Sequence, residues 1–279
     1  MAEGTYVSEL EEGALVEATF AVQRKRQRRT RNGDPFLSLE LADRTGRVPA
    51  VVWNDVNLLG GRFDEGDTVR VLGRVETYDG RPQIAIRDLK KLEQGDALEL
   101  VPGARRDAET LDGMLEFLAD EIHDPNLSEL VSRFFANARF RERLRTAPAS
   151  ESHHDYAGGL LEHTVGVATL CRETAQLHPR LRGDLLAAAA LLHDVGRTLE
   201  LGRGPAFRPT EEGRLLGHVH LGLRLIEERS AALDAAVRAE LLHAVAVHHD
   251  RQAAHTAEAA VLYHANQLDA QAATRPVGE

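Results

Sequence analysis

Residues 188–201 read AAALLHDVGRTLEL, a run of alanine and leucine typical of a buried helix that ends in His193 and Asp194. Burying an imidazole or a carboxylate alone costs free energy, so this pair at the end of a core segment needs an explanation. One interpretation is a helix C-terminus, where histidine suits the helix dipole and Gly196 suits the position after the cap. The other is a metal site, in which a cation compensates for the burial. The rest of the chain must decide between them.

The composition is that of a globular protein with enough residues for two domains. The chain has 279 residues, 43% of them hydrophobic, and a single cysteine, Cys171. One cysteine cannot form an intramolecular disulfide and is typical of a reducing compartment. The N-terminus lacks the pattern of a signal peptide, and the longest strongly apolar run, at 185–192, is far shorter than a membrane span. We therefore expect a soluble, cytoplasmic protein with no membrane partner.

The N-terminal part has the periodicity of β-strands. Polar and apolar side chains alternate with a period of two from residue 14 to 92. Five short apolar runs are separated by the turn signals Asn32-Gly33, Asp43 to Gly46 and Asp79-Gly80. Five short strands in about 80 residues predict a small all-β barrel, and the OB-fold is the expected member of that class.

The C-terminal part has the periodicity of helices. After residues 101–107 apolar side chains recur at helical spacing, and most of residues 158–274 fit a helical bundle. Thr210 is a candidate helix N-cap, because Glu211 and Glu212 follow it in the first turn. We predict a two-domain protein, in which the barrel is followed by an all-α part. The expected segments are a barrel domain at 1–100, a helical linker at 101–150 and a second domain at 151–279.

Positive charge is concentrated in one short segment of an acidic chain. The formal net charge is −10, which argues weakly against a nucleic-acid partner. Residues 22–33, VQRKRQRRTRNG, nevertheless carry six cations between the first two predicted strands: Arg24, Lys25, Arg26, Arg28, Arg29 and Arg31. In an OB-fold the loop at this place contacts oligonucleotides, although a solvated hairpin tip is the commoner fate of such a run. Phe36, Trp53 and Tyr78 can offer stacking faces to bases, but Phe36 and Trp53 fit a core position equally well.

Histidine and aspartate residues of the helical part form a candidate metal-ligand set. Of 13 histidines, 12 follow residue 150, mostly beside apolar residues. Imidazole and carboxylate suit Zn²⁺, Mn²⁺ or Fe²⁺, and a mixed set from several helices is typical of a metal site in a bundle core. Any single one can instead be a hydrogen-bonded core residue. The candidates are His163, His193, Asp194, His218, His248, His249 and Asp269.

The remaining histidines are assigned by their spacing and neighbours. His220 lies two residues after His218, roughly 200° around a helix, so the two cannot share a face, and we favour His218, which follows Gly217. His264 stays open between a core residue and an outer contact of the site. We interpret four others as structural or exposed, namely His123, His178, His243 and His255.

The order of these residues resembles that of the HD-domain metal phosphohydrolases. A wider pattern, which follows the predicted OB-fold in the chain, is similar to the YhaM-type 3′→5′ exoribonucleases. Together with the OB-fold, the resemblance covers residues 14–272. The segments that carry it are SHHDYAGGLLEHT, LLHDVGRTLEL, EGRLLGHVHLG, VAVHHD and LYHANQLDA. The dipeptide His-Asp is common and indicates little by itself, whereas the ordered set is specific. The resemblance identifies residues 151–279 as an HD domain.

The resemblance implies one or two divalent metal ions, with Mn²⁺ expected first and Fe²⁺, Co²⁺, Zn²⁺ or Mg²⁺ as alternatives. It implies that His163, His193, Asp194 and Asp269 hold one ion. Asp194 would also bridge to a second ion held by His218, His248 and His249. The metals would activate water and stabilise the attacking and leaving oxygens of phosphodiester hydrolysis.

One departure from the family pattern concerns Arg197, because the family commonly carries lysine there. No lysine follows Lys91, and arginine can still clamp a phosphate, so we predict a catalytic role for Arg197 beside Asp194. His153 and His154 also match the family pattern, either as phosphate contacts or as residues that only pack or cap.

The function expected from this combination is metal-dependent 3′→5′ exoribonuclease activity on single-stranded RNA, with DNA as a further substrate and nucleoside 5′-monophosphates as products. Two alternatives stay open. One is an HD phosphodiesterase acting on a small nucleotide, and the other is a nucleic-acid-binding module with an inactive catalytic half.

Overall fold

The computed structural model describes residues 5–92, 100, 103, 104, 106–150, 153–202 and 206–274. These residues form two compact units. The first extends to residue 103 and also includes the short segment 206–208, and the second contains 104–202 and the residues from 209 onward. The domain boundary expected near 100–110 includes residues outside the described part.

The first unit holds a closed barrel with five strands among the described residues. Its elements are a 3₁₀ turn at Val7–Glu9, β1 (Leu15–Arg29), β2 (Pro35–Asp43), β3 (Gly46–Val52), the short helix α1 (Val56–Gly60), β4 (Thr68–Tyr78) and β5 (Arg81–Lys91). The strand order is β1-β2-β3-β5-β4. The β3–β5 pair is parallel and the other four pairs are antiparallel. The predicted OB-fold barrel is confirmed.

The alternating side chains explain why these segments close into a barrel. On β2, the residues Leu37, Leu39 and Leu41 are buried in the barrel core, whereas Ser38 and Glu40 between them remain partly exposed. Burying a leucine side chain contributes roughly 2 kcal/mol, so a row of three on one face decides which way the strand turns. The register follows, because a shift of one residue would place these leucines in water.

The second unit is helical. Its helices are α2 (Ala108–Asp120), α3 (Pro125–Phe135), α4 (Ala138–Thr146), α5 (Gly159–Leu177), α6 (Gly183–Leu192), α7 (Arg197–Glu200), α8 (Glu211–Glu227), α9 (Ala235–Ala246) and α10 (Ala257–Ala273). The predicted N-cap at Thr210 is present, since its side chain accepts a hydrogen bond from the Gly213 backbone N–H. Within the described residues, no helix combines the length and the apolar character needed to cross a bilayer.

Helices α2–α4, which the sequence assigned to a linker, share one core with the rest of the second unit. Leu111 and Leu115 of α2 and Phe134 of α3 are buried in the same hydrophobic cluster as Leu160 of α5 and further residues of α6, α9 and α10. These helices therefore contribute to the packing that supports the later segments.

Gly196 has a different role from the helix cap that the sequence allowed. Its φ of −65° lies in the right-handed helical region, so it is not the left-handed residue that ends a helix. A Cβ at this position would collide with the backbone of His218 and Gly222. Glycine is required here because α8 packs directly against the turn that carries His193 and Asp194.

Candidate functional site

Six of the candidate ligands converge in the second unit, and each comes from a turn or a helix end. His163 lies in the first turns of α5, and His193 and Asp194 form the turn after α6. His218 follows a kink inside α8, where Gly217 has φ 70° and ψ 163°, a conformation that favours glycine. His248 and His249 lie in the turn just after α9.

One group of ligand atoms is formed by His163, His193 and Asp194. The Nε2 atoms of the two histidines are 3.3 Å apart. They lie 3.9 and 3.7 Å from Asp194 Oδ2, respectively. All three side chains are buried. Their spacing suits a common cation, because ligands of one metal ion stand about 3 Å or more apart when each is about 2 Å from the ion.

The other carboxylate oxygen of Asp194 belongs to a second group. Asp194 Oδ1 lies 3.3 Å from His218 Nε2 and 3.5 Å from His248 Nε2. His249 Nε2 completes this group at 3.0 Å from His218 Nε2. The single carboxylate therefore contributes one oxygen to each group, which is the arrangement of a bridging ligand between two ions.

Backbone carbonyls fix the proton positions on two of the histidines. His193 Nδ1 donates to the Ala190 carbonyl at 2.7 Å, and His248 Nδ1 donates to the Val245 carbonyl at 2.6 Å. A neutral imidazole has one proton, so this assignment leaves the Nε2 lone pair of each ring facing the site.

A carboxylate plays the same part for His163, and a second carboxylate lies beside His218. His163 Nδ1 donates to Asp269 Oδ2 at 2.7 Å. His218 Nδ1 lies 3.6 Å from Glu200 Oε1, and the His218 backbone N–H donates to the same oxygen at 3.2 Å. Asp269 is thus brought to the outer nitrogen of His163, outside the two groups that contain Asp194.

Several buried polar atoms of the site have no hydrogen-bond partner within the described residues. They are Asp194 Oδ1, His248 Nε2 and Arg197 Nε. Leaving a buried donor or acceptor unpaired costs about 1–3 kcal/mol, so native proteins rarely keep such atoms without a ligand. The orphaned oxygen and the imidazole nitrogen, both donors of electron pairs to cations, fit a divalent metal ion.

The electrostatics of the site favour the metal-binding protonation states. Burial lowers the pKa of His193 and of His249 to about 3, so both rings are neutral at physiological pH. Burial alone would raise the pKa of Asp194, but the Arg197 cation and the adjacent histidines hold it well below its usual range. Neutral imidazole and ionised carboxylate are the forms that bind metals.

Arg197 contacts two carboxylates, that of Asp194, which belongs to both groups, and that of Glu200, which lies beside the second group. Its Nη1 donates to Glu200 Oε2 at 2.7 Å, and its Nε lies 3.7 Å from Asp194 Oδ2. Burial raises the pKa of Glu200, but its contacts with His218 and Arg197 outweigh this and lower the pKa below its ordinary value. Sequence reasoning did not single out Glu200, although its position three residues after Arg197 places the two on one helical face.

The pair His153 and His154 lies beside the first group. The ring centroids of His153 and His163 are 5.0 Å apart, and burial lowers the pKa of His153 to about 4. His154 is buried and places Nε2 2.8 Å from Asp269 Oδ2 and Nδ1 2.6 Å from the Tyr156 hydroxyl. Tyr156 is a further site residue that sequence reasoning missed.

The histidines that were set aside, and His264, which stayed open, lie outside the two ligand groups. His220 is exposed on α8, and His264 is exposed on α10, where its Nε2 accepts from Arg251 Nε at 3.3 Å. His243 and His255 stack on each other with ring centroids 5.6 Å apart. His123 and His178 are exposed as well.

The basic segment differs from the loop that the sequence suggested, because most of it is strand. β1 extends to Arg29, which pairs with Pro35 of β2, and only the turn around Gly33 (φ 90°) connects the two strands. Backbone hydrogen bonds sustain this ladder whatever the side chains are, and alternation then sends the cations to opposite faces. Arg24, Arg26 and Arg28 occupy one face and are exposed.

Lys25 and Arg29 contact the protein itself. Lys25 Nζ donates to the carbonyls of Gly60 and Phe63 and lies 4.6 Å from the centroid of the Phe63 ring. Arg29 Nη1 donates to the Gly33 carbonyl at 2.8 Å. Lys25 therefore supports the end of α1, and Arg29 supports the β1–β2 turn.

An aromatic pair lies beside the exposed arginines. Arg28 is the cross-strand partner of Phe36, whose ring centroid is 4.9 Å from that of Trp53. Trp53 is 48% exposed, so one aromatic surface remains available to solvent. Tyr78 is 70% exposed at the end of β4, next to the β4–β5 turn. Cations beside partly exposed aromatic rings suit the phosphates and bases of a single strand.

Two protein families match separate parts of this chain. Residues 21–92 match the family described as an OB-fold nucleic acid binding domain, and residues 160–271 match the HD domain. The fold and the ligand set therefore define an OB-fold protein with an HD domain that can hold divalent metal.

Curated relatives cover most of the chain. A protein named 3'-5' exoribonuclease YhaM from Geobacillus sp. (strain WCH70) is 30% identical over 86% of this chain and 77% of that relative. The protein of the same name from Bacillus subtilis (strain 168) is 28% identical over 97% of this chain and 89% of that relative. The chain belongs to the YhaM family. Among solved structures, the second OB-fold domain of replication protein A from Methanococcus maripaludis matches 32% of this chain and 94% of that domain, with 22% identity and a TM-score of 0.26.

Proposed function

We propose that this protein is a metal-dependent 3′→5′ exoribonuclease that acts in the cytoplasm and releases nucleoside 5′-monophosphates from single-stranded RNA. The direction and the substrate are those that the names of the YhaM relatives carry. One observation supports metal-dependent catalysis most directly. His163 Nε2 and His193 Nε2 face each other and are 3.3 Å apart. Both rings donate their Nδ1 protons to outer acceptors, so the Nε2 lone pairs face each other. A cation between them relieves the repulsion of the two lone pairs.

The two ligand groups assign the metal ions as follows. His163, His193 and Asp194 would hold one ion, and Asp194 with His218, His248 and His249 would hold the other. When bound, two divalent ions supply charge stabilisation at the phosphate and lower the pKa of water. The mixed nitrogen and oxygen set suits Mn²⁺ as well as Fe²⁺, Co²⁺ or Zn²⁺, and we propose Mn²⁺ as the working ion.

Arg197 is proposed to orient the scissile phosphate. Its Nη1 is held by Glu200, so the guanidinium is fixed at the edge of the ligand groups instead of extending into solvent. The side chain is 15% exposed, which leaves one edge accessible to substrate. A planar, permanently charged group in a fixed position binds a phosphate oxygen at little entropic cost.

The barrel is proposed to capture the strand. Arg26 and Arg28 form a row on the outer face of β1, and the Phe36–Trp53 pair offers an adjacent stacking surface. The arginines would contact phosphates and the aromatic rings would stack on bases, which gives binding with little sequence preference. We propose RNA as the physiological substrate, with DNA as a weaker one.

The first test follows the products of a 5′-labelled and a 3′-labelled oligoribonucleotide with Mn²⁺ and after chelation by EDTA. We expect the 5′ label to yield a ladder that shortens from the 3′ end and the 3′ label to appear at once as a mononucleotide. EDTA is expected to stop both reactions. Products of internal cleavage, or cleavage that continues without metal, would contradict the proposal.

Asp194→Asn provides the matched variant for this experiment. Asparagine has nearly the same shape as aspartate but cannot bridge two cations with both oxygens, so we expect turnover to fall by about a thousandfold or more. The metal-free fold should persist, because the change removes a buried charge without changing the side-chain volume. Circular dichroism checks the fold, and a folded variant with wild-type turnover would remove Asp194 from the proposed centre.

A further inference from the structure

The segment between α4 and α5 holds His154 in an unusual conformation. Its φ is +48°, a left-handed value that is uncommon for a residue other than glycine. The His154 carbonyl accepts hydrogen bonds from the backbone N–H groups of Ala149 and Tyr156 at 3.2 and 3.0 Å. A Cβ on Gly159 would collide with the same carbonyl. Strained residues held by their surroundings concentrate at functional sites.

Both ring nitrogens of His154 are engaged by other side chains. Nε2 lies 2.8 Å from Asp269 Oδ2, and Nδ1 lies 2.6 Å from the Tyr156 hydroxyl. That hydroxyl donates in turn to Glu162 Oε2 at 2.7 Å. With neither nitrogen directed to solvent, His154 is badly placed to bind a phosphate, the role that its sequence position allowed.

Asp269 connects His154 to the metal centre. The same oxygen, Oδ2, accepts from His154 Nε2 at 2.8 Å and from His163 Nδ1 at 2.7 Å. The other oxygen, Oδ1, lies so close to α5 that a Cβ on Gly166 would collide with it. The carboxylate is therefore held from two sides, and its position decides which nitrogen of His163 keeps the proton.

The structure assigns His154 as a positioning residue, which holds Asp269 so that His163 presents Nε2 to the first metal ion. Tyr156 and Glu162 brace His154 from the opposite side. The assignment rests on the proposed function only in that His163 binds a metal ion. Hydrogen-bond partners of metal-ligating histidines typically contribute 10- to 100-fold to metal affinity.

The contact distances favour this role over a third metal site made of His154, His163 and Asp269. The separations of 2.7 and 2.8 Å are those of hydrogen bonds. Ligand atoms around one cation stand about 3 Å or more apart, as they do in the two groups that contain Asp194.

The test is a titration of the full-length, metal-free protein with Mn²⁺, in which free Mn²⁺ is followed by electron paramagnetic resonance. For the wild type we expect two bound ions. His154→Ala should weaken one of the two sites by up to about 10-fold, because His154 acts through Asp269 and is not itself the partner of His163, and it should leave the other site unchanged. His154→Gln should recover part of that affinity, because its amide N–H can still donate to Asp269. His178→Ala, an exposed histidine at the end of α5, is the matched control and should bind as the wild type.

Tyr156→Phe keeps the aromatic ring and loses only the hydroxyl, so we expect a smaller loss at the same site. If His154→Ala loses its helical circular dichroism, this variant and His154→Gln decide the question. Wild-type Mn²⁺ affinity in the folded variants would overturn the assignment, and so would a third ion that His154→Ala alone loses. The titration involves no RNA, so failure of the exoribonuclease proposal would show separately, as a wild type that binds Mn²⁺ but leaves RNA intact.

Discussion

Arg197 and Asp194 illustrate how single residues set the chemistry of this centre. A buried carboxylate would ordinarily favour its neutral form, yet the neighbouring guanidinium and imidazoles hold the pKa of Asp194 well below its usual range. The same guanidinium is tied to Glu200, which also receives the backbone N–H of His218. Arg197 thus contacts Asp194, which is a member of both ligand groups, and Glu200, which contacts His218 of the second group.

We expect Arg197→Lys to keep turnover within about tenfold of the wild type and Arg197→Ala to lose about a hundredfold, since only the first retains a cation near the phosphate. Steady-state hydrolysis of a short oligoribonucleotide measures the difference. Arg224→Ala is the control, because Arg224 makes an exposed ion pair with Glu212 and should not matter for turnover. Equal kinetics for the lysine and alanine variants would argue against an electrostatic role for Arg197.

At the scale of elements, the metal centre depends on how closely α7 and α8 approach the turn after α6. Gly196 leaves no space for a Cβ between that turn and the α8 backbone. Gly217 breaks the α8 helix immediately before His218 and redirects the backbone there. Two glycines therefore place a ligand that helical periodicity alone would have aimed elsewhere.

Gly196→Ala is expected to lower the free energy of unfolding by about 2 kcal/mol and to reduce turnover, because its Cβ would meet backbone that cannot rotate away. Gly113→Ala is the matched control. Gly113 lies within α2, and a Cβ there would extend into open space, so alanine should leave turnover unchanged and raise stability by up to about 1 kcal/mol. Thermal denaturation and activity assays distinguish the two, and the same response from both would exclude a close-packing role for Gly196.

At the scale of the whole molecule, the two units carry different kinds of interaction with a polynucleotide. The barrel presents exposed arginines and aromatic rings, whereas the helical unit buries the central residues of its candidate site, namely His163, His193, Asp194 and His248. Contacts with phosphates are weakened by salt because binding releases counterions. Coordination in a buried site is screened much less. Capture and cleavage should therefore respond differently to ionic strength.

Replacing Arg26 and Arg28 by glutamine should weaken binding of a long single-stranded RNA and reduce the slope of log K against log salt by about 1.4 units, or roughly 0.7 for each phosphate contact. Turnover of a dinucleotide should change little. The charge-matched control replaces Arg70 and Arg74, which pair with Thr19 and Leu15 toward the opposite end of β1. An unchanged salt slope for the first variant, or an equal change for the control, would indicate that the β1 arginines are only solvated surface residues with no specific role in RNA binding.

Periodicity was enough to predict the architecture, and residue chemistry was enough to name candidate ligands. The division of these candidates into two groups, with Asp269 in the first, was implied by the family resemblance and stays a prediction. Alternation along β2 and the helical stripe of α3 are properties of neighbouring residues, and burial follows from them directly. The histidines and aspartates of the site could be named as candidates because an imidazole or a carboxylate beside apolar residues is costly without a partner. The interpretation of Gly196 as a helix cap was wrong, since the contact that requires glycine there comes from a distant segment.

Only the tertiary structure decided which atoms meet. The contact of Glu200 with His218 and the contacts of Asp269 depend on backbone paths that bring distant residues into hydrogen-bonding range. Asp269 is 106 positions from His163 and 115 positions from His154. The basic segment likewise became a strand, because pairing with β2 continues to Arg29 whatever the charge of the side chains. Local sequence determined the elements and the kinds of ligand. Long-range packing determined the proton positions, the outer partners and the exposed face, because these depend on distances between elements that no local pattern encodes.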